Sequence, residues 1–173
     1  LIPHLTAAGF DVHAFDLEGH GRTEGARGVT DMRRALDEHI AARAALTEDG
    51  TPLFMLGHSL GGLLTAASVA KSPAGAAGVI LSAPAIEVPI NPVLKAVAGV
   101  FAAVAPAARL TPPIAPESLS RIPEEVEAYR ADPMICLLPP PARLGATAVS
   151  VAEEGWRRYD DWRAPVLVVH GAK

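Results

Sequence analysis

The stretch FMLGHSLGGLLTAASVA places one serine between two glycines at the spacing Gly57-x-Ser59-x-Gly61. An apolar run at 52–56 leads into it, and small and apolar residues at 60–71 follow it. These runs predict a strand, buried on both faces, that passes into a helix through a single residue. A turn this sharp strains the backbone of its central residue and leaves no room for side chains two positions away, which accounts for the two glycines.

Such a turn lifts the Ser59 hydroxyl clear of the sheet and places the backbone N–H of Leu60 at the positive end of the helix. That amide is positioned to stabilise the oxyanion that forms when a serine attacks a carbonyl. The pattern predicts the nucleophile elbow of a serine hydrolase, although a plain glycine-rich strand–helix turn is the alternative. Ser59 is then the nucleophile and Leu60 an oxyanion donor, while Gly57 and Gly61 make the turn possible. His58 is a poor candidate for the base, because successive residues of a sharp turn point apart.

Strand-like and helix-like segments alternate over the first half of the chain. Short apolar runs predict buried strands at 10–15, 52–56 and 78–82. Helical patterns cover residues 1–8, 29–46 and 60–71. This alternation predicts an α/β protein with a parallel sheet and right-handed crossovers, and Thr30 is the predicted N-cap of the second helix. Reaction sites in such sheets lie at the carboxyl ends of the strands, where Asp16, Ser59 and Ser82 fall.

From residue 84 onward prolines interrupt the chain repeatedly, and the strand rhythm returns only with APVLVVH near the end. This change predicts a helical cap inserted into the core, with the segments core 1–83, cap 84–161 and core strand 162–173. The cap segment NPVLKAVAGVFAAVAPAARL is helical in pattern and almost uncharged, with Val100 and Phe101 at its centre. This helix either packs on the core or lines a pocket for the apolar chain of a substrate and touches a lipid surface; the sequence leaves both open.

Composition narrows the classes of function. The 173 residues are 50% apolar and carry a formal charge of −4, which gives no general attraction to nucleic acid or anionic lipid. A single cysteine, Cys136, excludes an internal disulfide, and no Cys/His pair has zinc-ligand spacing, so we expect neither a metal nor another cofactor. The longest apolar stretch is too short to span a bilayer, and no signal-peptide pattern is present. We therefore expect a cytoplasmic protein whose contact with membranes, if any, is peripheral; its oligomeric state stays open.

Four segments carry a resemblance to a known family, namely FDLEGHGRTEGARG, LGHSLGG, ESLSRIPEEVEAYRADPMIC and APVLVVHGAK. Through them the chain resembles the α/β-hydrolase superfamily, in its branch of monoacylglycerol lipases and lysophospholipases within the serine aminopeptidase S33 type. The resemblance implies an α/β-hydrolase fold with a helical cap and a serine hydrolase that cleaves carboxylic esters of single-chain lipids, monoacylglycerol first. Lysophospholipids, simple carboxylic esters and N-terminal prolyl peptides are the alternative substrates.

The resemblance also assigns roles to residues. It makes Ser59 the nucleophile and Leu60 an oxyanion donor through its amide. It places the second oxyanion donor ahead of the first helix, the catalytic aspartate directly after Lys173, and the catalytic histidine further downstream. We therefore expect a partial domain, truncated at both ends, that lacks the catalytic Asp and His and is inactive by itself.

Other polar residues are candidates for the missing base or acid, but each has a favoured structural alternative. His170 ends a strand before a turn glycine, and His20 lies in the loop after Asp16, where it is expected to shape the loop. Asp160 and Asp161 precede the last strand and would lie near its far end. A non-catalytic α/β protein that has lost its base and acid is the alternative from another class.

Overall fold

The computed structural model of the chain describes residues 1–87 and 90–171. Its strands are β1 (Leu53–His58), β2 (Ala76–Ser82) and β3 (Val166–Val169). Its α-helices are α1 (Ile2–Ala7), α2 (Met32–Leu46), α3 (Leu60–Lys71), α4 (Pro92–Val104), α5 (Pro123–Ala131) and α6 (Ala142–Trp156). Short 3-10 turns at Pro116–Ser118 and Tyr159–Asp161 complete the described elements.

The three strands form one parallel sheet in the order β1-β2-β3. Met55 of β1 pairs with Val79 of β2, and Val79 pairs in turn with Val166 of β3. Parallel neighbours need a crossover, which α3 provides between β1 and β2 and the segment containing α4, α5 and α6 provides between β2 and β3. The predicted α/β class is confirmed. The carboxyl ends of all three strands therefore meet at one edge of the sheet.

Helix α3 lies at the centre of the core. One side of it packs on the sheet around Met55, Val69 and Val79. The other side packs against α2 and α6, where Leu63 is fully buried. Burying a leucine side chain in this way contributes about 1.5–3 kcal/mol, which explains why α3 carries no charge before its last residue. Because α6 shares this core with α2 and α3, the predicted cap segment contributes to the core; its limits at 84 and 161 stay a prediction.

The sheet is covered on one face only among the residues that the structure describes. Phe54 and Leu56 of β1 are 57% and 48% exposed, and every residue of β3 is exposed. The prediction that the strand at 52–56 is buried on both faces is therefore wrong for the described residues. The reason is that α3 covers the side of β1 that carries Met55, while the opposite side has no helix packed on it in the described part of the chain.

The predicted strand at 10–15 is also wrong. These residues form no hydrogen-bonded ladder with another described segment, and an apolar run becomes a strand only beside a partner that accepts and donates its backbone hydrogen bonds. Aromatic contacts hold the segment instead. The ring of Phe10 meets that of Phe54 edge-on at 6.4 Å, and Phe15 lies 5.9 Å from the ring of His39.

Helix α2 begins at Met32, three residues after the start of the helical pattern at 29–46, and its N-cap lies one residue after the predicted one. Asp31, not Thr30, is its N-cap, and an Asp31 carboxylate oxygen accepts the backbone N–H of Arg33 at 3.0 Å. The buried hydroxyl of Thr30 donates to the carbonyl of Glu18 at 2.6 Å. Thr30 therefore connects the preceding loop to the start of α2 and does not cap the helix. Which of these two roles Thr30 takes depends on how the loop folds.

Two polar side chains of α2, His39 and Arg43, are withdrawn from water. Arg43 is 5% exposed, and its guanidinium donates to the Ser68 hydroxyl at 3.0 Å and to the carbonyls of Ser72 and Ala74 at 2.8 Å each. It thereby satisfies backbone acceptors at the end of α3, where the helix dipole favours a cation. Burial, with the nearby charge of Arg43, lowers the pKa of His39 from 6.5 to about 4.

We expect the free energy of unfolding to fall as the pH is lowered from 7 to 5. The unfolded chain takes up a proton on His39 near pH 6.5 but the folded chain only near pH 4, so acid favours the unfolded state in this window. The loss should be about 1–2 kcal/mol once partial exposure of the ring is allowed for. Urea unfolding at both pH values measures it. The His39→Leu variant should lose this pH dependence, whereas His13→Leu, at an exposed site, should keep it; equal slopes in the two variants would contradict the assignment.

Candidate active site

Ser59 is the single residue at which β1 turns into α3. Its backbone has φ 49° and ψ −115°, a region that residues with a side chain rarely adopt and that costs about 1–3 kcal/mol. The residue is exposed, and its hydroxyl makes no hydrogen bond to any residue in the described ranges. The strained, outward-facing turn predicted from the sequence is present. The catalytic role of Ser59 stays a prediction.

The backbone N–H of Leu60 is available to a ligand. Leu60 is the first residue of α3, where amides have no partner within the helix, and the Ser59 side chain does not cap them. Among the described residues no group accepts a hydrogen bond from this amide. It therefore offers a donor next to the serine hydroxyl at the positive end of a helix, which is the arrangement that an oxyanion requires.

The steric prediction for the glycines of LGHSLGG holds at Gly57 and fails at Gly61. A Cβ atom at Gly57 would lie 2.5 Å from the carbonyl oxygen of Gly61 and 2.6 Å from the Thr65 hydroxyl, so this position admits only glycine. A Cβ at Gly61 would meet nothing within 4 Å, and the predicted steric requirement there is wrong because that side of the first helical turn faces open space. The close approach occurs instead at Gly62, where a Cβ would lie 2.8 Å from Pro84.

The end of β2 is tied to the elbow. The backbone N–H of Ser59 donates to the carbonyl of Ser82 at 3.0 Å. The Nδ1 atom of His58 lies 3.1 Å from both the carbonyl and the hydroxyl oxygen of Ser82. The imidazole of His58 is thus engaged with Ser82, and it forms no hydrogen bond with the neighbouring Ser59.

The loop that follows residues 10–15 is held by its own polar side chains. His20 Nδ1 lies 3.1 Å from the carbonyl of Glu18 and from the Thr30 hydroxyl. The carboxylate of Asp16 accepts the backbone N–H of Arg22 at 3.0 Å. These contacts support the loop-shaping role proposed for His20 and give Asp16 a similar one.

The remaining candidates for acid or base lie apart from the serine hydroxyl. His170 follows β3 at the same sheet edge as Ser59, but its side chain is exposed and its Nδ1 is 2.9 Å from the carbonyl of Gly171. Asp160 and Asp161 belong to the 3-10 turn that precedes β3 and therefore lie toward the amino end of the strands. No histidine or carboxylate in the described ranges is hydrogen-bonded to Ser59.

Helix α4 combines packing with a large exposed apolar surface. It lies against α6, buries Ala98 there and is tied by the ion pair of Lys95 with Glu153. Val100 and Phe101 are 61% and 36% exposed. Three more exposed valines belong to the same helix, namely Val93, Val97 and Val104.

No helix in the described ranges is long and apolar enough to cross a bilayer. In the same ranges no group of three or more His, Cys, Asp or Glu side chains is arranged to hold a metal ion.

A small pocket of about 110 Å³ separates the loop at 16–28 from the cap. Its polar lining comes from His20, Arg109 and Tyr129, with the free thiol of Cys136 beside them. The Arg109 guanidinium donates to the carbonyl of Pro139 within the cap and, at 3.3 Å, to that of Arg27 in the loop. The loop and the cap are therefore docked on each other by these contacts.

The whole chain, residues 1–173, matches the model of a family described as serine aminopeptidase, S33. The chain belongs to this family. It is 35% identical over 172 residues to a monoacylglycerol lipase of Mycolicibacterium smegmatis, an alignment that covers 96% of this chain and 61% of that protein. It is 31% identical over 174 residues to the monoglyceride lipase of Homo sapiens, covering 93% of this chain and 55% of that protein.

Among solved structures, the monoacylglycerol lipase of Paleococcus ferrophilus superimposes with a TM-score of 0.86 at 32% identity, covering 98% of this chain and 65% of that one. Together with the parallel sheet, this match confirms the α/β-hydrolase fold. The S33 chain described here spans 55% to 61% of the length of the two curated relatives.

Sequence reasoning missed one group of residues beside the elbow of this S33 family member. The turn after β2 carries Ala83 at φ 41°, one of two non-glycine residues with positive φ in the described ranges, the other being Ser59. Ala85 of the same turn donates its backbone N–H to the carbonyl of Ser59 at 3.0 Å. An alanine in the sequence does not indicate such a backbone role. The one sequence feature that could have indicated the approach of another segment to the helix is Gly62, the third glycine of LGHSLGG.

Proposed function

We propose that the complete protein containing this chain is a serine hydrolase that cleaves monoacylglycerol to fatty acid and glycerol. The observation that carries the proposal is the strained, exposed Ser59 beside the unpaired amide of Leu60 at the start of α3. The S33 family and relatives named monoacylglycerol lipases support this reaction and substrate class.

The proposed reaction begins when the Ser59 oxygen attacks the ester carbonyl carbon as a base takes the hydroxyl proton. The Leu60 N–H donates to the oxyanion of the tetrahedral intermediate. The intermediate collapses, glycerol leaves with the proton that the base returns to it, and water then releases the fatty acid from Ser59. We propose that the base and the acid that orients it are a histidine and an aspartate supplied from outside these 173 residues.

The cap is proposed to select the acyl chain. The exposed apolar side chains of α4, with Val100 and Phe101 at its middle, support a wall for the acyl chain and a peripheral contact with a lipid surface. The protein is accordingly proposed to work in the cytoplasm and at the surface of membranes. No nucleic-acid partner and no cofactor is part of this proposal.

Substrate comparison with the complete protein tests the proposal. We expect 1-oleoylglycerol to be hydrolysed with a higher kcat/KM than lysophosphatidylcholine, 4-nitrophenyl butyrate or a proline 4-nitroanilide. A preference for lysophosphatidylcholine or for the prolyl substrate would replace monoacylglycerol as the substrate class. Failure to hydrolyse any of them would favour the second candidate, a non-catalytic α/β-hydrolase, which the absence of a described base beside Ser59 brings into consideration.

A charge on α4 should separate long from short substrates. In the complete protein Val100→Asp is expected to lower kcat/KM for 1-oleoylglycerol about tenfold and that for a butyrate ester less than twofold. The reason is that each methylene of the acyl chain gains about 0.8 kcal/mol only against an apolar wall. Ala44→Asp adds the same charge at an exposed position of α2 and should change neither value. Equal losses on both substrates would show that α4 has a packing role only.

A further inference from the structure

We propose that the backbone N–H of Ala85 is a positioning group for the oxyanion donor, acting on the Leu60 amide through the carbonyl of Ser59. The inference rests on the proposed function, because it assigns a role to the Leu60 amide in catalysis. The role proposed for Ala85 is indirect, through this carbonyl, and is not that of a donor to the oxyanion.

The contact that carries the inference is a hydrogen bond within one peptide plane of the elbow. The carbonyl of Ser59 accepts the N–H of Ala85 at 3.0 Å and also that of Leu63, one helical turn on, at 3.1 Å. This carbonyl and the Leu60 N–H belong to the same planar, trans peptide unit, so they point in opposite directions. Any group that fixes the carbonyl therefore fixes the direction in which the Leu60 N–H points.

Two hydrogen bonds hold the turn that presents Ala85. The carbonyl of Ser82 accepts the N–H of Ser59 at 3.0 Å, and the N–H of Ala83 donates to the carbonyl of Val169 in β3 at 2.7 Å. Ala83 has φ 41°, a conformation that a residue with a side chain adopts only where its surroundings enforce it. Such strain concentrates at functional sites, and here it turns the chain back over the first turn of α3.

Close packing completes the arrangement at Gly62. A Cβ atom there would lie 2.8 Å from the Cα and the Cβ of Pro84, so the missing side chain lets Pro84 rest directly on the helix. This approach brings the next residue, Ala85, within hydrogen-bond distance of Ser59. The glycine, the strained Ala83 and the hydrogen bond thus form one connected arrangement, the Ser82–Ala85 brace.

The brace holds the Leu60 N–H in a fixed direction, which the first turn of the helix alone does poorly. The first turn of a helix frays, and a donor for an oxyanion must be held within about 10–20° of its productive direction. A second donor on the Ser59 carbonyl restricts this peptide plane. It also polarises the peptide unit, which strengthens the Leu60 N–H as a donor.

Two substitutions in the complete protein test the brace. Ala85→Pro removes the N–H donor, and Gly62→Ala keeps it but pushes Pro84 away. Each is expected to lower kcat for a monoacylglycerol about tenfold, less than the hundredfold or more seen when an oxyanion donor is itself removed, with KM unchanged. The affinity for a trifluoromethyl ketone, which forms a tetrahedral adduct with serine, should fall by the same factor. Ala85→Ser retains the amide and should retain both values.

A merely structural role would lower the melting temperature without this parallel loss of kcat and of affinity for the ketone. If Ala85→Pro does not fold, Gly62→Ala decides, because the helix propensity gained from alanine offsets part of the cost of moving Pro84. Values of kcat and ketone affinity within twofold of the unsubstituted protein, in a folded variant, would overturn the inference and leave the proposed function intact. Absence of Ser59-dependent hydrolysis in the unsubstituted protein would instead remove the proposed function and the inference with it.

Discussion

We expect Ser59→Ala in the complete protein to lower kcat/KM for monoacylglycerol by about four orders of magnitude or more, because removal of a serine nucleophile eliminates the covalent route. Labelling of the protein by a fluorophosphonate should disappear with it, since such probes trap an activated serine beside an oxyanion hole. The melting temperature should change little. The hydroxyl is exposed and makes no hydrogen bond to the described residues, so its loss breaks no contact of the fold.

The matched control is Ser82→Ala, at the same edge of the sheet. Its hydroxyl lies 3.1 Å from His58 Nδ1, so this variant loses about one hydrogen bond, but it should keep both labelling and most of the hydrolysis. Mass spectrometry of the labelled peptide identifies the reacting serine. Labelling that persists in Ser59→Ala would show that another residue is the nucleophile and that the elbow is structural.

The elbow was predictable because its requirements are local. The strain at Ser59 and the collision at Gly57 arise among residues 57–65, so the order of glycine and serine in the chain encodes them directly. The α/β class followed for a related reason, since alternation of apolar runs and helical patterns reflects crossovers between neighbouring strands.

The features that could not be predicted from the sequence depend on contacts between segments that are distant in the chain. Residues 10–15 have the composition of a strand, but a segment forms a strand only beside another segment that pairs with its backbone. The choice of Asp31 over Thr30 as N-cap depends on where the Glu18 carbonyl lies. The Ser82–Ala85 brace acts through backbone groups, whose hydrogen bonds any residue but proline can form.

Replacing the first glycine of the elbow should have the largest effect on stability. In the complete protein Gly57→Ala is expected to lower the free energy of unfolding by about 3 kcal/mol, because its methyl would lie 2.5 Å from a backbone oxygen that cannot move without opening the first turn of α3. The hydroxyl of Thr65, a residue that is only 3% exposed, lies 2.6 Å from the same methyl and adds a second collision. Urea unfolding measures the loss, and fluorophosphonate labelling should fall as the turn opens.

The second glycine of the motif provides the control. A methyl at Gly61 would meet nothing within 4 Å, and φ there is not in the left-handed region, so alanine is compatible with both space and backbone. Alanine also favours a helix over glycine by up to about 1 kcal/mol. Gly61→Ala should therefore be neutral or slightly stabilising in the same unfolding experiment. If Gly61→Ala destabilised the protein as much as Gly57→Ala, the space beside Gly61 would have to be occupied in the complete protein, and the steric rule first inferred from the sequence would hold for both glycines.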